Sequence, residues 1–134
     1  ICQRTDEGLM RYLILLFIST TVLAETSIGP TTSTRGDRGL SIERTHDGWY
    51  GAVDITQNQL FWRGGKELLS NDHGYVRLGI CATRKNNIVN SYLMFNTVAG
   101  LRRGRWSVDW SHCSNAGLSR PNTGYDLFTL KYKL

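Results

Sequence analysis

The sequence predicts an all-β protein, a small antiparallel β-sandwich or barrel with one disulfide. Three runs in the middle of the chain alternate apolar and polar side chains, namely residues 76–81, 89–96 and 106–111. This period of two is typical of half-buried strands, because successive side chains leave opposite faces of a strand. Clusters of Gly, Asn, Asp and Ser separate these runs from other short runs, as turns separate antiparallel strands.

The same signals predict about seven short strands in total. A strand at 49–56 follows a turn at 46–48, and the last strand covers residues 128–134, where Lys and Thr occupy the second face. Gly64 and Gly65 predict a hairpin turn between two short strands. Further turns are expected at residues 71–74, 86–87 and 100–105, with a loop at 115–124. Residues 90–101 also fit a helix, but their Tyr, Phe, Thr and Val residues favour a strand.

The chain divides into three segments. Residues 1–24 are predicted to be a leader and a secretory signal peptide, because Met10-Arg11 precedes a short apolar run that ends in Val22-Leu23-Ala24. That run is shorter than the roughly 20 apolar residues of a membrane-spanning helix. Residues 25–40 are rich in Thr, Ser and Gly and are expected to be a flexible polar segment. Residues 41–134 are expected to form a single β domain.

Charge and cysteine content place this domain outside the cell. The chain of 134 residues has a net charge of +5, which favours anionic partners such as membrane surfaces or sulfated glycans; nucleic acid is not expected. Cys81 and Cys113 are the two cysteines beyond the signal peptide. Because secreted proteins oxidise their thiols, we expect a Cys81–Cys113 disulfide. Its loop would stabilise the fold by about 3–4 kcal/mol. The predicted location is secreted and extracellular.

No sequence motif predicts catalysis. The histidines, His46, His73 and His112, are scattered in or beside turns, and no HExxH, GxSxG or phosphate-binding glycine loop occurs. We therefore predict no catalytic residue, no metal site and no cofactor. A hydrolase assembled from distant residues stays an alternative, with the three histidines and Asp72 as its candidates.

Aromatic and cationic side chains predict a binding surface instead. Exposed rings beside guanidinium groups stack on sugars, hold choline headgroups by cation–π attraction or lie at a bilayer interface. The predicted binding residues are Trp62, Tyr92, Arg102, Arg103, Arg105 and Trp106. The alternative is that these arginines are solvated loop charges above core tryptophans.

Four segments of the sequence resemble actinoporin-like cytolysins. Residues 65–69 (GKELL) resemble that family's Gly-Lys-Ala-Leu-Leu element, and residues 76–82, 92–98 and 105–108 resemble three of its strands. The resemblance implies a β-sandwich with a surface that binds phosphocholine headgroups. The family's amphipathic N-terminal helix has no counterpart in residues 25–40, and Asn96-Thr97-Val98 replaces its Ser-Val-Pro turn. Both departures argue against pore formation.

The sequence thus favours a secreted toxin-like or lectin-like protein that recognises membrane lipid headgroups or cell-surface glycans. The expected partners are a membrane surface with choline headgroups, or glycans, and a homo-oligomer is compatible with the pattern. Two alternatives stay open. One is a calycin-like barrel that holds a small apolar ligand, and the other is a basic secreted hydrolase.

Overall fold

The computed structural model describes residues 24–84, 92–118, 120 and 123–134. These residues form eight antiparallel strands. Each strand pairs with the next along the chain, and the last pairs with the first, so the sheet is a closed barrel. The strands are β1 (Glu25–Ser33), β2 (Arg38–His46), β3 (Trp49–Thr56), β4 (Leu60–Ser70), β5 (Gly74–Ala82), β6 (Leu93–Arg103), β7 (Trp106–Ser114) and β8 (Tyr125–Lys133).

The two ends of the barrel differ in the length of their connections. At the loop end, residues 34–37, 57–59, 83–92 and 115–124 join the strands. At the turn end, residues 47–48, 71–73 and 104–105 join them, and β1 begins and β8 ends there. Asp47 and Gly48 have φ angles of 51° and 78°. A two-residue hairpin turn of this kind needs left-handed backbone at both positions.

Polar side chains lie inside the barrel and large apolar side chains lie outside. The buried ionisable residues are Glu43, Asp54, Arg63, Arg77, Asp109 and Lys131. The exposed apolar residues on the strands include Leu40, Trp49, Ile55, Leu68, Val76, Leu78, Ile80, Phe95, Leu101, Trp106, Val108, Trp110, Phe128 and Leu130. This arrangement is the reverse of an apolar core covered by a polar surface.

A network of ion pairs occupies the turn-end half of the interior and lines a cavity of about 340 Å³ that opens at the turn end. The Lys131 ammonium lies 2.7 Å from a Glu43 oxygen and 2.5 Å from an Asp109 oxygen. The Arg77 guanidinium lies 2.9 Å from a carboxylate oxygen of Glu43 and 2.9 Å from one of Glu67. Each of these buried charges therefore has a partner of opposite sign, which offsets its loss of hydration.

An apolar cluster occupies the interior nearer the loop end. It consists of Phe61, Cys81, Met94, Cys113, Tyr125 and Leu127, all at most 3% exposed. The rings of Phe61 and Tyr125 meet edge to face, with their centroids 4.9 Å apart. The disulfide between Cys81 and Cys113 crosses this cluster and connects β5 to β7.

The all-β antiparallel fold and the Cys81–Cys113 disulfide are confirmed, and the closed sheet is a barrel rather than a sandwich. The tight turns before Trp49 and after Ser70 and the last strand are also as predicted. The signal peptide lies outside the described residues except for Ala24, and the predicted turn at 86–87 lies wholly outside them. Among the residues described, no helix is long and apolar enough to span a membrane.

Two predictions about local structure were wrong. Residues 25–40 are not a flexible segment but β1, the first hairpin turn and the start of β2. Their polar residues suit a strand whose inner face is polar, and Thr31 and Ser33 are buried there. Gly64 and Gly65 do not form a turn but lie within β4. A Cβ on Gly65 would lie 2.2 Å from the Leu78 carbonyl oxygen of β5, so this glycine permits close contact between strands.

Candidate active site on the outer face of β7 and β8

The register of β7 and β8 places a histidine beside a carboxylate on the barrel exterior. His112 pairs with Asp126 across the two strands. The His112 Nδ1 atom lies 2.9 Å from Asp126 Oδ1, and the side chains are 36% and 30% exposed. A carboxylate at this distance accepts a hydrogen bond from Nδ1–H, which leaves Nε2 of the neutral ring as a proton acceptor.

Trp110 is a second hydrogen-bond donor to the Asp126 carboxylate. The Trp110 Nε1–H group donates to the same oxygen, Asp126 Oδ1, at 2.9 Å. The rings of Trp110 and His112 are also stacked, with their centroids 5.9 Å apart and an interplanar angle of 25°. Asp126 is thus held by two donors on one neighbouring strand, and the imidazole is confined between the carboxylate and the indole.

Ser114 lies next to His112 on the same face of β7. The two residues are two positions apart, so their side chains leave the strand on the same side. Gly124 shows which way the imidazole points, because a Cβ on it would lie 2.8 Å from Cε1 and 3.4 Å from Nε2 of His112. Since Cys113 pairs with Tyr125, Gly124 lies across from Ser114. The Nε2 atom therefore points along β7 toward the level of Ser114.

Asp126, His112 and Ser114 have the residue types and the order of an acid–base–nucleophile triad, and we refer to these three residues as the triad. A serine hydroxyl is a weak nucleophile until a neighbouring base removes its proton, and a carboxylate orients that base. Such triads are identified by geometry and not by chain order. Cys113, the residue between His112 and Ser114, points inward into the disulfide and is fully buried.

The surroundings of the triad are apolar toward the turn end and cationic toward the loop end. A groove of about 370 Å³ follows the outer face of β8 from Phe128 to Leu130 and is bordered by Pro30, Val108 and Arg38. At the loop end, Arg35 Nη2 donates to Thr123 Oγ1 at 2.5 Å, one residue before Gly124.

The residues predicted as a binding surface do not form one site. The guanidinium of Arg102 lies 2.9 Å from Glu67 and 4.5 Å from the Tyr75 ring, so it belongs to the interior network at the turn end. Arg103, Arg105 and Trp106 are exposed around the turn between β6 and β7. Trp106 packs against Tyr132 at a centroid distance of 4.9 Å.

The other two predicted binding residues lie elsewhere. Trp62 is on the outer face of β4, where it pairs with Val53 and Ala82. Tyr92 is exposed just before β6, at the loop end. Ser114 is eight residues from Trp106 along β7, or about 27 Å at 3.4 Å per residue. The triad and the arginine cluster therefore lie at opposite ends of the barrel.

Sequence reasoning included His112 among the hydrolase candidates but missed Ser114 and Asp126. His73 and Asp72 lie in the turn between β4 and β5, and His46 ends β2, all at the turn end. The available signal was His112-x-Ser114 on an alternating strand, which puts both side chains on one face. No group of three metal-binding side chains occurs among the described residues.

Comparison with known proteins supports the barrel. Neither a family model nor a curated protein matches the chain. Among solved structures, the chain is similar to the outer membrane enzyme PagL, with 19% identity and a TM-score of 0.63. The similarity covers 82% of this chain and 98% of that chain. At this level of identity, the similarity shows the fold.

The predicted toxin-like or lectin-like function is wrong, because the similar solved structure is that of an outer membrane enzyme. The calycin-like alternative is also contradicted, because the cavity of about 340 Å³ at the turn end of the barrel is lined by charged side chains such as Glu43, Glu67 and Arg77, which do not suit an apolar ligand. The resemblance to actinoporin-like cytolysins implied a sandwich, and the observed sheet is closed instead. The resemblance itself stays a prediction from the sequence.

Proposed function

We propose that this protein is a β-barrel hydrolase of the outer membrane that cleaves an ester-linked acyl chain from a membrane lipid. Ser114 is the nucleophile, His112 the general base and Asp126 the residue that orients the base. The observation that carries the proposal is the hydrogen-bonded His112–Asp126 pair, 2.9 Å apart, beside Ser114 on an apolar outer surface. The similarity to an outer membrane enzyme supports it.

The distribution of side chains supports a position within the bilayer. Barrels that span membranes alternate apolar residues outside with polar residues inside, and closure leaves no unpaired strand edge. The eight strands have 8 to 11 residues, close to the 9–11 residues of a spanning strand. Aromatic residues mark both ends of the apolar band, with Trp49, Trp106 and Tyr132 near the turn end and Tyr92 and Phe95 near the loop end.

The connections favour one orientation. Outer membrane barrels have short turns on the periplasmic side and longer loops on the extracellular side. The loop end, with residues 83–92 and 115–124, would then face outward. The triad lies beside the second of these loops, at the outer boundary between headgroups and acyl chains. Ester bonds of membrane lipids lie at this depth, so the nucleophile reaches them without the lipid leaving the bilayer.

The reaction follows from the positions of three side chains. The Ser114 hydroxyl attacks the ester carbonyl carbon while His112 Nε2 accepts its proton. The tetrahedral intermediate expels the alcohol, which takes the proton from His112, and leaves an acyl ester on Ser114. Water then attacks this ester and gives a proton to His112, and the serine takes that proton back as the fatty acid leaves. Asp126 keeps Nδ1 protonated and stabilises the imidazolium in both steps.

The groove and the cations suggest the kind of lipid. The groove along Phe128 and Leu130 begins two residues from Asp126 on the outer face of β8, and its volume and apolar lining suit an acyl chain. Arg35 and Arg38 place positive charge above it, at the level of headgroups. We therefore retain a membrane surface as the partner, with anionic headgroups preferred over choline headgroups.

The test is lipid hydrolysis by the purified protein in mixed micelles, with release of fatty acid as the readout. Wild-type protein should release fatty acid and should react covalently with a fluorophosphonate that labels activated serines. Ser114→Ala should lower the rate by at least about 10³-fold and abolish labelling, because the nucleophile is lost. His73→Gln is the matched control, since it changes a histidine at the other end of the barrel. Full hydrolysis by Ser114→Ala, or a wild-type protein that neither labels nor hydrolyses, would overturn the proposal.

A further inference from the structure

The Cys81–Cys113 disulfide lies directly beneath the triad. Cys113 is the residue between His112 and Ser114, and its side chain points into the barrel while theirs point out. The bond reaches β5, two strands away, because β6 lies between β5 and β7 in the sheet. It therefore holds the backbone of β7 from inside, at the one position that separates the base from the nucleophile.

Asn96 holds the same segment of β7 by hydrogen bonds. Its Nδ2 group donates to Ser111 Oγ at 2.8 Å and to the His112 carbonyl oxygen at 3.1 Å, and it lies 3.4 Å from Cys113 Sγ. Its own Oδ1 atom accepts a hydrogen bond from the Tyr50 hydroxyl at 2.7 Å. Asn96 is 1% exposed. Three consecutive residues of β7 thus contact one buried amide that is itself held by β3.

The apolar cluster encloses the disulfide beneath Asp126. Its chain neighbours Tyr125 and Leu127 are 1% and 0% exposed and pack in the cluster that surrounds the disulfide. A buried ion pair between Arg63 and Asp54 lies beside this cluster, because Arg63 pairs with Cys81 and Asp54 pairs with Phe61. The disulfide and Asn96 both lie beneath the part of the outer face that carries the triad.

We propose that the disulfide, with Asn96, positions the triad by fixing the β7 backbone between His112 and Ser114. The role rests on the proposed hydrolase. A closed barrel already fixes the path of each strand by its backbone hydrogen bonds, but catalysis needs finer placement, since a displacement of about 1 Å can lower a rate by about 100-fold. Because disulfides form outside the cytoplasm, activity then depends on the oxidised state of this bond.

The test compares wild type with Cys81→Ala, which removes the bond and keeps the Cys113 side chain in place. We expect kcat and the rate of fluorophosphonate labelling at Ser114 to fall about 10- to 100-fold, with KM changed less than about twofold. Met94→Ala is the matched control. It removes volume from the same cluster without touching the β7 backbone, and it should lower the unfolding temperature while the labelling rate stays at the wild-type value.

The possible outcomes distinguish the positioning role of the disulfide from the proposed hydrolase activity of the triad. A labelled, active wild type with equal kcat and labelling in Cys81→Ala would overturn the positioning role and leave the triad intact. A wild type without labelling or hydrolysis would overturn the triad, and with it the role of the disulfide.

If Cys81→Ala does not fold, Asn96→Ala keeps the disulfide and removes the donors to Ser111 and His112. A tenfold loss of labelling in folded Asn96→Ala supports positioning, and an unchanged rate overturns it.

Discussion

The two ends of β7 carry very different chemistry on the same outer face. At the turn end, Trp106 packs against Tyr132 beside exposed Arg103 and Arg105. At the loop end, His112 contacts Asp126 next to Ser114. The first group comes from neighbouring residues in the sequence, whereas the second needs two strands in the correct register. The more conspicuous group in the sequence is therefore the one with the weaker case for a functional site.

The two groups differ because they meet different physical requirements. Aromatic and cationic residues at the edge of an apolar band suit the boundary between lipid and water, and they need no partner of fixed geometry. A partly exposed histidine–carboxylate pair adds little stability, because surface ion pairs contribute about 0–1 kcal/mol. Its defined geometry, with Trp110 as a second donor to Asp126 and Gly124 making room for the ring, is the geometry that the proposed hydrolase requires.

The largest expected effect on the rate of hydrolysis comes from a change of Asp126 at the loop end. Asp126→Asn keeps the shape of the side chain but removes the charge that holds Nδ1–H and stabilises the imidazolium. By analogy with other Ser-His-Asp hydrolases, kcat should fall about 10³- to 10⁴-fold. The control is Asp37→Asn, which changes another carboxylate at the loop end, one that accepts a hydrogen bond from Asn58. Hydrolysis by Asp126→Asn at more than a tenth of the wild-type rate would show that the pair is not part of the machinery.

A change in the ion-pair network at the turn end should lower the stability of the protein and leave its rate of hydrolysis unchanged. Lys131→Met leaves the buried carboxylates of Glu43 and Asp109 without their shared cation. Breaking a buried ion pair in this way costs about 3–5 kcal/mol of the free energy of unfolding. Denaturant unfolding of the protein folded into lipid vesicles measures this loss, and hydrolysis per folded molecule should stay at the wild-type value.

The control for that experiment lies two residues further along β8. Lys133 is exposed and its ammonium lies 3.4 Å from Glu25, so Lys133→Met should cost no more than about 1 kcal/mol. If the two variants lost the same free energy of unfolding, the interior network would not be what stabilises the turn-end half of the barrel.

The sequence predicted the strands whose outer face carries large apolar residues, and it did not predict the strand whose inner face is polar. The strands of Val76, Trp106 and Phe128 were recognised because their outer faces alternate large apolar residues with others. The strand β1 was missed because Thr31 and Ser33 face a polar interior, so its pattern is that of a loop. Alternation alone does not say which face is buried. The pattern is therefore the same for an apolar core and for the apolar outer surface of this barrel.

The site was less predictable than the fold for a related reason. His112 and Ser114 are two residues apart and their common face could be predicted, but Asp126 joins them only through the pairing of β7 with β8. Register depends on the length and geometry of the connecting loop, and residues 115–124 carry no short turn motif that sets it. The disulfide, in contrast, followed from a count of cysteines and an oxidising compartment.

The smallest expected effect tests the fit of the imidazole. Gly124→Ala would place a Cβ 2.8 Å from His112 Cε1, so the ring must move and its Nε2 must shift relative to Ser114. We expect about a tenfold loss of kcat, the size of a modest misplacement. Gly124 also has a φ of 73°, so the control is Gly48→Ala, with a φ of 78° and no atom within 4 Å of its Cβ position. Both variants carry similar backbone strain, and only Gly124→Ala should lose activity. Equal activities in folded protein would mean that the position of the His112 ring does not limit the reaction.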